Sequence, residues 1–200
     1  MLSLLDYINE IKSNYSRNVL RKKNGFKDSD FIVFTGGKLD LLKKTELLIQ
    51  AMNLVKDNSI HLIIIGKSMH EDYANKLFKL SENNPNIHFL GWLQSEQLIK
   101  CLYSSDIAIF PSSQSVLWQQ SIGAGLPLII GDIYGNSEYL NKNNNVIIMK
   151  DIPLKPLTIS KLITKLFKDK KLHEEMKKGA LKTADSFLSY KKIADRSIDF

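Results

Sequence analysis

The sequence predicts a doubly wound α/β domain, a parallel sheet of about six strands with helices on both faces. Two observations carry this. Short apolar runs rich in Ile, Val and Phe show no polar alternation, and amphipathic stretches alternate with them along the chain. Strands without alternation are those of a sheet buried on both faces. Strands interleaved with helices through right-handed crossovers give a parallel, doubly wound sheet. The length agrees, because 200 residues suffice for one well-cored domain and fall short of two of ordinary size.

The elements follow in order. Residues 2–23 carry Leu5, Ile8, Ile11, Tyr15 and Val19 at helical spacing, and Asn24-Gly25 ends that helix. Strand 31–35 leads to helix 41–55, strand 61–65 to helix 71–82, and strand 87–90 to a short helix at 95–103. Strand 107–110 precedes helix 116–124, and strand 127–130 precedes a short helix at 137–140. The polar run 141–145 is a loop before the last strand, 146–149, and helices 156–168 and 173–190 close the chain. Six strands make one complete Rossmann-like domain, assigned to residues 30–200, with 1–29 as an N-terminal helix and interdomain remnant. Ligands in this architecture bind beyond the carboxyl ends of the strands, so the loops after Thr35, Ile65, Leu90, Phe110 and Ile130 are the places to look.

Composition narrows the class. Hydrophobic residues at 44% and charged residues at 24% are those of a globular protein. No apolar run approaches the ~18 residues that span a bilayer. Residues 1–9 lack a basic leader and a small-residue cleavage site, so no signal peptide is expected. The single cysteine, Cys101, has no internal disulfide partner and no metal-site spacing, which fits a reducing cytoplasm. The histidines His61, His70, His88 and His173 lack ligand spacing, and His61 and His88 read as strand-edge residues. The net charge of +7 concentrates in the last fifty residues, where Lys161, Lys165, Lys168, Lys170, Lys171, Lys177 and Lys178 stand. Such a pattern is a solvated basic face or an attraction to an anionic membrane surface at the inner face of the membrane. Nucleic acid is not expected, because the basic residues do not interleave with aromatics and no recognition motif is present.

Two loops could carry chemistry. The first reads Thr35-Gly36-Gly37-Lys38-Leu39-Asp40-Leu41-Leu42-Lys43 between a strand and a helix. It is neither a dinucleotide fingerprint nor a Walker loop. Its paired glycines let backbone approach a ligand, and Lys38 and Lys43 can meet that ligand as point charges. A plain Gly-Gly turn with solvated lysines explains the same residues. The other loop runs Phe110-Pro111-Ser112-Ser113-Gln114-Ser115-Val116 into a helix holding Trp118, Gln119 and Gln120. Ser113 or Ser115 is a natural N-cap, and the helix N–H groups there make an anion site. A serine cap without a ligand accounts for the capping alone. Trp118 reads as core, and Trp92 lies nearer a ligand edge.

Four short motifs stand in one order: Gly36-Gly37-Lys38-Leu39-Asp40 with Lys43, then Phe89-Leu90-Gly91-Trp92, then Asp106-Ile107-Ala108 with Phe110-Pro111-Ser112, then Gly125-Leu126-Pro127. This order resembles the carboxy-terminal domain of GT-B glycosyltransferases of family 4, from about Asp30 to the end. The stretch Phe187-Leu188-Ser189-Tyr190-Lys191-Lys192-Ile193-Ala194 is similar to the family's closing segment. The resemblance implies that Lys38 and Lys43 hold a donor diphosphate, with Lys38 standing where arginine is more usual. A lysine there keeps the charge and loses the bidentate fork. It implies further that Trp92 and Leu93 read the nucleotide base through backbone groups, and that Ser113, Gln114, Ser115 and Val116 offer N–H groups to phosphate or sugar.

The chain also departs from that family. Its two glutamates, eight residues apart, fall here on Ser112 and Gln120, in a loop about three residues shorter than usual. Gln120 can still bond ribose hydroxyls through its amide; Gln119 beside it is the alternative, and Gln114 is the candidate substitute for the first glutamate. Glu138 resembles a family glutamate after a Gly-rich turn, and capping explains it as well. Asp40 and Asp132 form no evident acid/base pair.

The resemblance therefore implies a hexosyltransferase domain that takes a UDP-, GDP- or ADP-linked sugar as substrate. No cofactor and no metal is expected. The acceptor, a glycan, lipid-linked sugar or protein, and the catalytic base would come from an amino-terminal domain in cis or in trans, so the chain is expected to be incomplete alone. The alternatives are a GT-B-like module that has lost donor binding, and a fragment of a nucleotide-sugar epimerase-like enzyme.

Overall fold

The computed structural model describes residues 4–112, 114–131, 137–149 and 154–188. The chain opens with α1 (Leu4–Asn14) and α2 (Arg17–Lys23), and β1 (Phe31–Gly36) leads to α3 (Thr45–Asn53). Then come β2 (Ile60–Ile65), α4 (Glu71–Ser81), β3 (Ile87–Gly91), α5 (Ser95–Ser104), β4 (Ile107–Phe110) and α6 (Val116–Ala124). The last elements are β5 (Leu128–Gly131), β6 (Val146–Met149), α7 (Pro156–Lys168) and α8 (Lys170–Thr183). The strands form one sheet in the order β3-β2-β1-β4-β5-β6, and every neighbouring pair is parallel. This is the doubly wound sheet that the apolar runs predict. The chain leaves β1 in one direction and returns to its other side at β4, so the topological switch lies between these two strands.

Alternate residues of the central strands build two apolar layers. Ile32, Phe34, Ala108 and Phe110 join Trp118 and Ile122 of α6 and Ile8 and Ile11 of α1. Phe31, Val33, Ile107 and Ile109 join Leu48 and Met52 of α3 and Ile159 and Ile163 of α7 on the opposite face. All six residues of β1 are buried, which requires helices on both sides of it. Trp118 is 2% exposed and belongs to the core, as its position predicts. Cys101 is buried there too, and desolvation pushes its thiol up to about 11.

The structure breaks three predicted helices. The helix expected at 41–55 is a 3-10 turn (Leu41–Lys43) followed by α3, because Lys44 stands between them in left-handed backbone with φ 52°. The helix expected at 2–23 divides at Tyr15 and Ser16, where Ser16 is extended and begins α2. The helix expected from 173 starts earlier, at Lys170, with the Asp169 carboxylate accepting from the Leu172 N–H at 2.9 Å. It passes after Thr183 into a π turn, Ala184–Leu188, and most of the predicted closing segment lies outside the described residues. His88 is on the edge strand β3, whereas His61 is one strand further in, on β2, with Nδ1 3.2 Å from His88 Nε2.

A buried ionic cluster ties the first helices to the sheet. Arg21, almost fully buried, donates from Nη2 to Asp106 Oδ2 at 2.5 Å, from Nε to the Ser104 carbonyl, and from Nη1 to the Asp28 and Asp30 carbonyls. Arg17 donates to the other oxygen of Asp106 at 2.6 Å, and the Ile32 N–H donates to Oδ2 at 2.7 Å. The carboxylate at the entrance of β4 is thus held by two guanidinium groups and an amide of β1. Burial lowers the Arg21 pKa, against the raising effect of Asp106.

Candidate donor site at the carboxyl end of the sheet

The site begins with three glycines at strand ends. The Gly37 N–H donates to the Ile65 carbonyl at 2.9 Å, and the Gly66 N–H donates to the Gly91 carbonyl at 2.8 Å, so the loops after β1, β2 and β3 are stitched edge to edge. Gly66 has φ +131°, and a Cβ there would stand 1.8 Å from the Gly37 carbonyl oxygen. Only glycine allows that approach. On the other side of the switch, a Cβ on Gly131 would stand 1.9 Å from the Pro111 carbonyl oxygen.

Asp40 then shapes the first loop. Its carboxylate accepts from the N–H groups of Leu42 and Lys43 at 3.0 and 3.2 Å, which closes the 3-10 turn and turns Lys43 inward. The Lys43 ammonium donates to the Gln114 backbone carbonyl at 2.6 Å. Desolvation lowers its pKa below the ordinary lysine value of 10.5, and Asp40 partly offsets that. This bond joins the first and fourth loops, with its two residues 71 apart in sequence. In the fourth loop, Ser115 is the N-cap of α6, its hydroxyl accepting from the Leu117 N–H at 3.3 Å. The amino terminus of α6 therefore points its N–H groups and positive dipole end toward the same end of the sheet.

Between these loops lies a cavity of about 330 Å³. Gly37, Lys38 and Lys43 form one wall, Ser115 and Val116 another, and Trp92 and Leu93 the third. Its polar lining residues are Lys38, Lys43 and Ser115, and its apolar ones include Ile65, Leu98, Leu117 and the 69% exposed Trp92. That combination suits an anion joined to a flat, partly apolar group. Among the described residues no group of three or more His, Cys, Asp or Glu is arranged to hold a metal ion.

Other predicted residues stand outside the wall. Gly36 is buried behind it, where a Cβ would meet the Ile65 carbonyl oxygen at 2.6 Å. Gln114 contributes its carbonyl to Lys43, and Gln119 donates to the Tyr139 hydroxyl at 3.5 Å. Ser113 lies outside the described residues, as does Asp132. Gln120 is half-buried in α6, and its Oε1, like the buried Ser112 Oγ, has no partner among the described residues. Glu138 is exposed in the 3-10 turn Glu138–Leu140. Sequence reasoning points to the loop after Ile65 but does not single out Ile65 or Gly66 themselves, nor Leu98 and Leu117 of the wall. The signal for Ile65 and Gly66 was a strand-end Ile-Gly in the second of the five loops, with no motif around it.

The glycosyl transferases group 1 profile matches residues 16–183. This chain belongs to that family. An uncharacterized glycosyltransferase of Methanocaldococcus jannaschii is 24% identical over 194 residues, an alignment spanning 95% of this chain and 48% of that protein. HepE from Anabaena, crystallised with UDP and glucose, superposes with a TM-score of 0.77 at 16% identity over 92% of this chain and 52% of its own. The C-terminal domain of a glycosyl transferase group 1 protein from Francisella tularensis superposes with a TM-score of 0.75 at 16% identity, over 88% of this chain and 94% of that one. The fold is one Rossmann-like half of a GT-B glycosyltransferase, in agreement with the predicted sheet. The chain spans about half the length of the curated relatives it matches.

Proposed function

We propose that the chain is the donor-binding domain of a glycosyltransferase and that the 330 Å³ cavity receives a nucleotide sugar. The observation that carries this reading is the convergence of Lys38, Lys43 and the amino terminus of α6 on one cavity with Trp92 at its edge. Two ammoniums and a helix terminus suit a diphosphate, and the backbone and ring at Trp92 and Leu93 suit a base. Binding of UDP and glucose by HepE supports a nucleotide sugar as the ligand class, with UDP-, GDP- and ADP-linked donors as the candidates. When the glycosidic bond to the donor breaks, negative charge grows on the leaving diphosphate. Lys38, Lys43 and the α6 amides would stabilise that charge without a metal or cofactor, and they would do so from fixed positions.

The acceptor and the catalytic base are assigned to a further domain, in cis or in trans, that closes on the carboxyl end of the sheet. The exposed side chains of Leu41, Leu42, Trp92 and Val116 at that end are the surface it would cover. A transfer assay tests this division: the 200-residue chain alone, given labelled UDP-glucose and simple sugar acceptors, forms no glycoside. Turnover by this chain without a partner contradicts it.

One observation favours a second reading. Ser112 and Gln120 stand where the family's two glutamates are expected, and both leave a buried polar atom without a partner among the described residues. A domain that retains the fold and has lost donor binding would show the same substitutions. Nucleotide binding separates the two readings.

A further inference from the structure

A groove of about 640 Å³ runs between the end of α3 and the outer face of α7. Its floor includes Leu54 and Leu157, which are 50% and 53% exposed, and the ring of Phe167. Around these stand Lys56, Lys161, Lys165 and Lys168, all exposed. Positions 161, 165 and 168 follow one another at four- and three-residue spacing, so the three ammoniums share one stripe of α7 while Ile159, Ile163 and Leu166 face the core. Among the described residues the carboxylate in the groove is Asp57, which accepts from the Ser59 hydroxyl at 2.6 Å and from the Ser59 N–H at 3.0 Å, bonds that with a smaller attraction from Lys168 lower its pKa. No salt bridge joins any of the four lysines to a carboxylate among the described residues.

Half-exposed leucines ringed by lysines that form no salt bridge among the described residues are an uncommon combination for a surface that meets only water. Solvated lysines alone need no apolar floor, and a protein-binding groove in the core sense is depleted of lysine. The combination matches the boundary of an anionic bilayer, where ammoniums meet phosphate headgroups and short apolar side chains enter the acyl boundary. The location also fits. Lys56 and Asp57 precede β2, whereas Ile65 and Gly66 of the donor cavity end it, so the two features lie at opposite ends of a strand about 20 Å long.

We propose that the Leu54–Leu157 groove with Lys56, Lys161, Lys165 and Lys168 docks this domain on an anionic membrane surface, leaving the carboxyl end of the sheet open. The inference stands apart from the donor reading and does not need it. Cosedimentation tests it, with vesicles of phosphatidylcholine containing phosphatidylglycerol against vesicles of phosphatidylcholine alone. The chain is expected to pellet with the first and not the second, and to be released by high salt. Lys161→Glu/Lys165→Glu/Lys168→Glu is expected to weaken binding by about 100-fold or more, on the basis of roughly fivefold per lysine near such a surface. Leu157→Ser, which leaves every charge in place, is expected to weaken it by about fivefold. Lys22→Glu/Lys23→Glu/Lys79→Glu makes the same change in net charge at exposed positions elsewhere and is expected to retain most of the binding. Far-ultraviolet dichroism and thermal melts establish that each variant is folded. Absence of binding to the anionic vesicles overturns the proposal. So does equal loss in the two triple variants, because the attraction would then belong to net charge and not to the groove.

Discussion

The Lys43 ammonium lies 2.6 Å from the Gln114 carbonyl oxygen, and this bond places the first and fourth loops of the sheet around one cavity. Lys43 therefore has two parts to play: it fixes the loop geometry, and it keeps a positive charge at the wall where a diphosphate would sit. Its lowered pKa makes the second part sensitive to pH. An anion binds the protonated ammonium more tightly, so donor affinity is expected to fall as pH rises through the Lys43 pKa. The fall should begin below the pH at which an ordinary lysine of pKa 10.5 titrates. Calorimetry over the alkaline range checks this. Lys43→Arg, whose guanidinium stays charged throughout, is expected to flatten the profile.

Arg21 and Asp106 should matter for stability far more than for binding. Arg21→Ala leaves a mostly buried carboxylate with one partner guanidinium fewer and is expected to cost about 3–5 kcal/mol. Urea unfolding measures it. Asp106→Asn should be milder, since the amide oxygen still accepts from Arg21 or Ile32.

The glycines divide into two classes. Gly66→Ala forces a Cβ against the Gly37 carbonyl oxygen in left-handed backbone and is expected to lose about 3 kcal/mol, together with the shape of the cavity. Gly25, with φ +81°, has nothing within 4 Å of the position a Cβ would take. Gly25→Ala should therefore cost only about 1 kcal/mol of backbone strain. Thermal unfolding of the two variants, with nucleotide titration of each, separates clash from strain.

Cys101 should be inert in the folded chain. Its thiol is buried and held at about 11, so little thiolate exists at neutral pH and a reagent has no access to it. Labelling by a disulfide reagent is expected only at the rate of unfolding, and addition of urea should release it. Rapid labelling in buffer would show that the α5 layer opens readily.

The sheet was legible because burial on both faces leaves an unmistakable mark: 31–35, 107–110 and 127–130 contain almost nothing polar. The two candidate loops were legible because glycines, lysines and serines cluster at strand ends. The kink at Lys44 was not, since a left-handed residue that is neither Gly nor Asn has no local signal. Arg21 reads as one more basic residue of an amphipathic helix, and only the position of Asp106 at the start of β4 shows that its guanidinium is buried. The meeting of Lys43 with Gln114 depends on β1 lying beside β4, a fact of strand order that residue spacing does not contain. Gln119 and Gln120 follow from counting along a helix, which does not tell which side of that helix faces the cavity, and neither lines it.

The central claim is that Lys38 and Lys43 hold the diphosphate of a nucleotide sugar, and titration calorimetry with UDP, GDP and ADP tests it most directly. The chain should bind one of the three, and Lys38→Ala/Lys43→Ala should lose about 100-fold in affinity for it while melting at a similar temperature, as expected when two charge-assisted bonds are removed. Equal affinity in the double variant, or no binding of any of the three nucleotides to the chain, would contradict the account.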